Sequence, residues 1–217
     1  MNIASVIKNL ELIAQTPQGI ELIRKFFIDL AIKGKLDSKS SDDDAYPSNW
    51  LVVPANQVFK SRSGNSKLIK GKLFNEPEPN LFPGYSASGQ DVWLSDWEHQ
   101  GVAVILSAVG ARCGKAFLAT GKWSAIANTH IIWIDEELFL PDFAYLILNN
   151  EYFWIRSGSA QPFVKVKSTL EKLVGVPPLE EQKLIISKFK TFTTILADLQ
   201  VAKQKQLTLS TQARQSA

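Results

Sequence analysis

The sequence predicts an α+β chain: one β-rich mixed domain flanked by long helices. Three observations carry this. Apolar residues recur at helical spacing up to Leu36 and again after Pro178. Between them, from Trp50 onward, short β-branched and aromatic runs alternate with clusters of Gly, Pro, Ser and Asn. The segment Asp37–Asp44, which holds four Asp against one Lys and no apolar side chain, reads as a solvated acidic linker over 37–49, closed by Tyr46-Pro47-Ser48-Asn49.

In the N-terminal helical segment, residues 1–36, Val6, Leu10 and Ile13 share one face. Thr16-Pro17 then interrupts, Thr16 as a cap and Pro17 at a first helical position. Ile20, Ile23, Phe27 and Leu30 resume the stripe, and Lys33-Gly34 suits a helix end. In the domain, residues 50–178, strands are expected at Trp50–Val53, Val102–Val109, Ala116–Ala119, His130–Ile134 and Val174–Val176. A helix is expected over Pro141–Arg156, with Phe143, Leu146, Ile147 and Phe153 on its stripe, and Ser168-Thr169-Leu170-Glu171 has the spacing of a capping box that starts one more turn. Pro177-Pro178 ends the domain. In the C-terminal helix, 179–217, Glu180 and Glu181 suit the first turn. Ile185, Phe189, Phe192, Leu196 and Leu199 then repeat at four, three, four, three, a heptad seam that continues weakly through Leu207 and needs a partner helix.

Composition narrows the function. The 217 residues are 45% hydrophobic, enough for a substantial core, and carry 24 Lys+Arg against 21 Asp+Glu. One cysteine, Cys113, excludes a disulfide scaffold, and with only His99 and His130 beside it the usual His/Cys zinc site is excluded too. The longest apolar stretch, Gly101 to Ala111, is too short to cross a bilayer, and no signal peptide is apparent, so a cytoplasmic protein is expected.

Catalytic patterns fail on inspection. Gly110-Ala-Arg-Cys-Gly114-Lys115-Ala116 has three residues between its glycines and Ala after Lys, where a phosphate loop has four and Ser or Thr. Tyr85-Ser86-Ala87-Ser88-Gly89 lacks the nucleophile-elbow pattern. His130 is expected as a polar group in or beside a strand, and Cys113 as a small buried residue. A magnesium nuclease built on Asp142 and Glu181 is the weakest alternative, since each starts a separate helix. No glycine-rich cofactor loop is present, and no metal or cofactor is expected on this chain.

Nucleic-acid binding is better supported. Lys60, Arg62, Lys67, Lys70 and Lys72 fall within thirteen residues that hold no acid, interleaved with Ser61, Ser63, Gly64, Asn65 and Ser66. The alternative for this stretch is a solvated lysine-rich loop. Arg112, Lys115 and Lys122 add cations around a glycine-marked turn. Phosphate contacts are therefore expected from Lys60, Arg62, Lys67, Lys70 and Lys72, with Ser63 and Lys115 also expected to bind DNA. Base contacts are expected from Tyr85, Ser86, Ser88, Gln90, Arg112 and Lys122, whose amide, hydroxyl and guanidinium groups match base edges. A protein-interaction module with a helical scaffold is the alternative class.

Five segments resemble one family. Leu22-Ile-Arg-Lys-Phe-Phe-Ile-Asp-Leu-Ala-Ile-Lys-Gly-Lys-Leu36 is similar to the helix that precedes a target-recognition domain in specificity (S) subunits of type I restriction–modification systems. Val104-Ile-Leu-Ser-Ala-Val-Gly110 with Gly114-Lys115 resembles their strand-and-glycine hairpin, and Asn128-Thr129-His130 their Asn-x-His. Gly158-Ser159-Ala160-Gln161-Pro162-Phe163 resembles their Gly-x-x-Gln loop, and Val176-Pro177-Pro178-Leu179-Glu180-Glu181-Gln182 the start of their spacer helix. The resemblance implies a non-catalytic subunit that reads double-stranded DNA. In the family, two recognition domains and an antiparallel coiled-coil spacer address the two halves of a split site. It also implies partner modification (methyltransferase) and restriction subunits that hold S-adenosylmethionine and ATP. With one recognition domain, this chain corresponds to a half-length form expected to act as a homodimer.

Overall fold

The computed structural model describes residues 18–36 and 45–215. The Val6-Leu10-Ile13 stripe, Thr16-Pro17 and the acidic segment Asp37–Asp44 lie outside the described residues. The chain divides into two compact units, Met1–Asp42 with Leu184–Ala217, and Asp43–Lys183.

The second unit is α+β. Strands β2 (Phe59–Ser63), β9 (Thr129–Ile134), β6 (Ala103–Ser107) and β7 (Ala116–Ala119) form an antiparallel sheet in that order. A second sheet has the order β4 (Gly89–Leu94), β3 (Phe82–Ser86), β8 (Lys122–Ala125), β5 (His99–Gln100), with β3 and β8 parallel. Residues directly opposite in a ladder share a face. Register thus places Ala103, Ile105, Ile131 and Trp133 on one side of the first sheet, where they pack with Tyr85, Trp123 and Ala125 of the second. Phe59 lies on the other side, 5.0 Å from Phe139, which stacks on Phe143 of helix α3 (Pro141–Leu148). The Tyr145 hydroxyl of α3 donates to the Ala116 carbonyl at 3.2 Å. Covered on both faces, β6 is buried along its whole length, which is why Ala-Val-Ile-Leu reads as an unbroken apolar run.

Smaller pieces complete the unit. Strand β1 (Leu51–Pro54) pairs with β12 (Leu173–Val176), and β10 (Arg156–Ser157) with β11 (Phe163–Val164). Short helices α2 (Ala55–Val58) and α4 (Val166–Thr169) lie between, with a 3-10 turn at Lys70–Lys72. The chain crosses from the first sheet to the second at Gly64. A Cβ there would sit 2.3 Å from the Ile126 carbonyl and from the Thr129 hydroxyl oxygen, so only glycine fits.

The long helix α5 (Leu179–Gln215) starts inside this unit and is held there by side chains. The Glu181 carboxylate accepts from the Asn49 amide at 3.0 Å and the Trp50 indole at 2.9 Å. Gln182 is fully buried; it accepts from the Leu140 backbone N–H at 2.8 Å and donates to the carbonyls of Leu138 and Pro177 at 2.7 and 2.9 Å.

In the other unit, helix α1 (Gly19–Ile32) pairs with α5. Ile20 and Ile23 cluster with Leu196, and Phe27 stacks on Phe192 at 3.7 Å with Phe189 at 6.3 Å, so the two helices run in opposite directions. Gly34 takes the left-handed conformation, φ 68°, expected of the helix end.

Several expectations are corrected. The helix from Pro141 stops at Leu148 rather than Arg156: the Asn149 and Asn150 N–H groups close the last turn, and Phe153 lies beyond it. The segment Ser168-Thr169-Leu170-Glu171 closes the turn Val166–Thr169 instead of starting one: Ser168 lies inside it, and the Thr169 hydroxyl donates back to the Lys165 carbonyl at 2.8 Å and accepts from the Ile155 N–H at 3.0 Å. The heptad seam needs no correction at Phe189, Phe192 and Leu196, whose partner helix is α1 of the same chain; Ile185 and Leu196 are buried and Leu199 is 41% exposed.

Two substitutions test these constraints. Gln182→Leu leaves one N–H and two carbonyls buried without a partner, so the unfolding free energy in urea should fall by about 3 kcal/mol. A change under about 1 kcal/mol would show that the amide is not needed there. Gly64→Ala should cost about 1–3 kcal/mol by overpacking, read as a lowered midpoint at unchanged m-value.

Candidate nucleic-acid interface

The basic stretch is a strand followed by an anchored crossing. Lys60 and Arg62 alternate on β2, an edge strand, opposite Trp133 and Ile131, and both remain exposed with Ser63. Beyond Gly64, the chain covers the outer face of the second sheet. Leu68 and Leu73 pack on Val92, Leu94 and Ile126, and Phe74 bridges to Trp93. The Asn65 side chain donates to Glu98 and accepts from the Lys67 N–H at 2.8 Å. Lys67, Lys70 and Lys72 thus project from a segment held by apolar side chains, not from a free loop. The Lys70 ammonium is paired with the Asp91 carboxylate.

A second group of residues meets at one end of the two sheets. Ladder register puts the β3–β4 tip, the β6–β7 loop and the turn before β9 at this end. Backbone bonds tie the β6–β7 loop to the turn before β9 and to residues 162–164: Ala108 N–H to the Asn128 carbonyl at 3.0 Å, Gly110 N–H to Pro162 at 2.8 Å, and Val164 N–H to Ala108 at 2.9 Å. The Arg112 guanidinium donates to the Ser88 carbonyl of the hairpin tip at 3.1 Å. Ser88, Gln90, Arg112 and Lys115 are all exposed here.

Three residues expected to contact bases do not present themselves on this surface. Tyr85 is 8% exposed, with its ring edge-on to Trp123 and its hydroxyl donating to the Leu118 carbonyl at 3.3 Å. Burial pushes its pKa up, so it stays a neutral core phenol. Ser86 is buried, and its oxygen accepts the Ser88 N–H at 3.0 Å, shaping the tip from inside. Lys122 is exposed at the opposite end of its strand: β8 pairs in parallel with β3, Gly84 facing Ser124. That puts Lys122 level with Phe82, about 13 Å, four residues of strand, away from the end where Ser86 lies. Its ammonium sits 4.7 Å from the Trp97 ring and 5.8 Å from Phe82.

The same end carries residues that sequence reasoning left without a role. The Arg156 guanidinium packs where a Gly114 side chain would be, at 2.8 Å, and is paired with Glu151 at 3.0 Å. Gln161 is exposed, and Phe163, 41% exposed, bridges to Val109. The Gly158–Phe163 motif was the available signal.

Groups weighed for catalysis have structural surroundings. Burial lowers the pKa of His130, whose Nδ1 is buried without a partner, so its imidazole is neutral. His99 is also lowered, first by burial and then by Arg62, against the opposing effect of Glu98. Its ring lies 4.8 Å from Trp123. Cys113 is buried. Among the described residues no group of three or more His, Cys, Asp or Glu is placed to hold a metal ion, and Glu181 is engaged by Asn49 and Trp50. Among them also, no helix is long and apolar enough to cross a membrane.

Comparison with known proteins follows the same line. A curated Escherichia coli protein, the type I restriction enzyme EcoprrI specificity subunit, is 24% identical over 150 residues, which is 66% of this chain and 36% of that protein. The crystal structure of the HsdS subunit from Thermoanaerobacter tengcongensis has a TM-score of 0.58 at 16% identity, covering 92% of this chain and 49% of that one. The S subunit of a type I system from M. genitalium gives 0.56 at 16% identity, over 93% and 56%. The chain thus spans about a third of the curated relative and about half of each solved chain. Residues 47–209 match the model of the type I restriction modification DNA specificity domain, and the chain belongs to that family.

Proposed function

We propose that this chain reads double-stranded DNA in a type I restriction–modification complex, without catalysis of its own, and directs modification and restriction subunits to a split site. The observation that carries this is the convergence of Ser88, Gln90, Arg112 and Lys115, all exposed, on one end of a rigid two-sheet domain. Cations at such an end hold phosphates, while amide and hydroxyl groups beside them face base edges. Lys67, Lys70 and Lys72, on an anchored segment, add phosphate contacts.

In this reading residues 50–178 are the recognition domain, and the helices act as an antiparallel coiled-coil spacer. The modification subunits supply S-adenosylmethionine and the restriction subunits ATP, and the assembly works in the cytoplasm. One domain addresses one half of the split site, so two copies of this chain supply both halves. Since Phe189, Phe192 and Leu196 are engaged by α1, the apolar residues of α5 open to a second copy include Ile195, Leu199 and Val201, 59%, 41% and 70% exposed.

Two measurements test this. Charge reversal of Lys67, Lys70 and Lys72 to Glu should weaken duplex binding. It should also shrink the slope of log affinity against log salt by about 0.9 for each phosphate contact removed. Affinity and slope equal to wild type would take this segment out of the interface. Ile195→Asp with Leu199→Asp should give monomers by light scattering while leaving the fold intact; a persistent dimer would place the contact elsewhere.

A further inference from the structure

The loop Gly158–Phe163 has no role in the account so far, yet it is built into the exposed end that holds Arg112. Its geometry is fixed on both sides. Gly158 has φ 85°, and a Cβ there would lie 2.5 Å from the Gln161 carbonyl, so the turn closes tightly and only glycine serves. The Gly110 N–H bonds the Pro162 carbonyl at 2.8 Å, and Val109 bridges to Phe163. These bonds tie the loop to the one that carries Arg112.

Its chemistry differs from that of its neighbours. From Ser157 to Val164 no side chain is charged, whereas Arg156 and Lys165 flank it in sequence and Arg112 and Lys115 stand on the adjoining loop. Ser159, Ala160 and Gln161 are exposed, and Phe163 leaves 41% of its surface open beside the Gly158 turn. The cations that neutralise phosphate charge stand on the adjoining loop and at the flanks, not in this segment. A neutral loop ending in a carboxamide and an apolar ring, placed among cations and held rigidly, suits base edges instead. A Gln amide donates and accepts in the pattern that adenine N6 and N7 present in the major groove, and an apolar ring matches the thymine methyl.

We infer that Gln161 and Phe163 read an A·T pair, Gln161 bonding adenine and Phe163 packing on thymine. This rests on the proposed function and deepens it. Rigid placement matters, because a carboxamide on a loose loop would lose conformational entropy on binding.

The test is selection of bound fragments from a random-sequence duplex library by the full-length chain with its modification subunit, followed by sequencing. Wild type should enrich a motif containing an A·T pair that changes with this loop. Gln161→Glu turns the amide donor into an acceptor, so A should give way to C at one position, and affinity for the wild-type motif should fall about tenfold or more. Replacing thymine by deoxyuridine at that pair removes only the methyl group. It should weaken wild-type binding and leave Phe163→Ala unaffected, a comparison that needs no variant to establish the wild-type contact. An unchanged motif in both variants, or a uniform loss of affinity with the motif kept, would overturn the inference and leave the DNA-reading function standing. A wild-type chain that enriches no motif would overturn both.

Discussion

The domain depends on one close approach, that of Gly64 to the Ile126 carbonyl and the Thr129 hydroxyl. At this point a strand at the edge of one sheet becomes a segment lying across the other. Everything after it, including the Leu68 and Leu73 anchors and the lysines between and around them, is positioned by that crossing. Thr129 is buried and commits its hydroxyl to the Ile126 carbonyl at 2.7 Å, so neither atom that meets Gly64 is free to move away. The same turn leads into β9, whose Asn128 carbonyl holds Ala108 at the root of the loop that carries Arg112. One unsubstituted Cα therefore joins the two groups of cations, which are far apart in sequence.

Charge is arranged so that little of it is lost on folding. The cations are exposed, and the ion pair of Lys70 with Asp91 is itself partly exposed, a class worth about 0–1 kcal/mol. Exchanging that carboxylate for a phosphate costs correspondingly little. The Arg112 bond to the Ser88 carbonyl is likewise a surface contact between two loops. It orders the hairpin tip and the cation together, which reduces what remains to be ordered on binding.

How much was legible in the sequence follows from the local physics of each segment. Continuous apolar runs such as Val104–Leu106 announced a doubly covered strand, and Pro177-Pro178 with Glu180 and Glu181 announced the start of the long helix. Pro83-Gly84 has the composition of a turn but lies inside β3, where a Cβ on Gly84 would meet Leu94 at 2.5 Å and Val92 at 2.7 Å; tertiary packing overrode the local signal. Tyr85 and Ser86 are therefore strand residues, and the tip begins one residue later. Lys60 and Arg62 were legible as a basic patch, but not as a strand edge, because their pairing with β9 joins residues some seventy positions apart. The Gln161 loop is recognisable as a motif; its tie to the loop that carries Arg112, through the bridge from Phe163 to Val109, is invisible to any local reading.

The buried Gln182 has a further consequence. All three of its partners are main-chain atoms, the Leu140 N–H and the carbonyls of Leu138 and Pro177. Every residue type offers that carbonyl, and every one but proline that N–H. The joint between the domain and the first turn of the long helix is thus indifferent to which side chains stand at 138 and 140. A substitution at either position, proline at 140 apart, leaves all three bonds to Gln182 on offer.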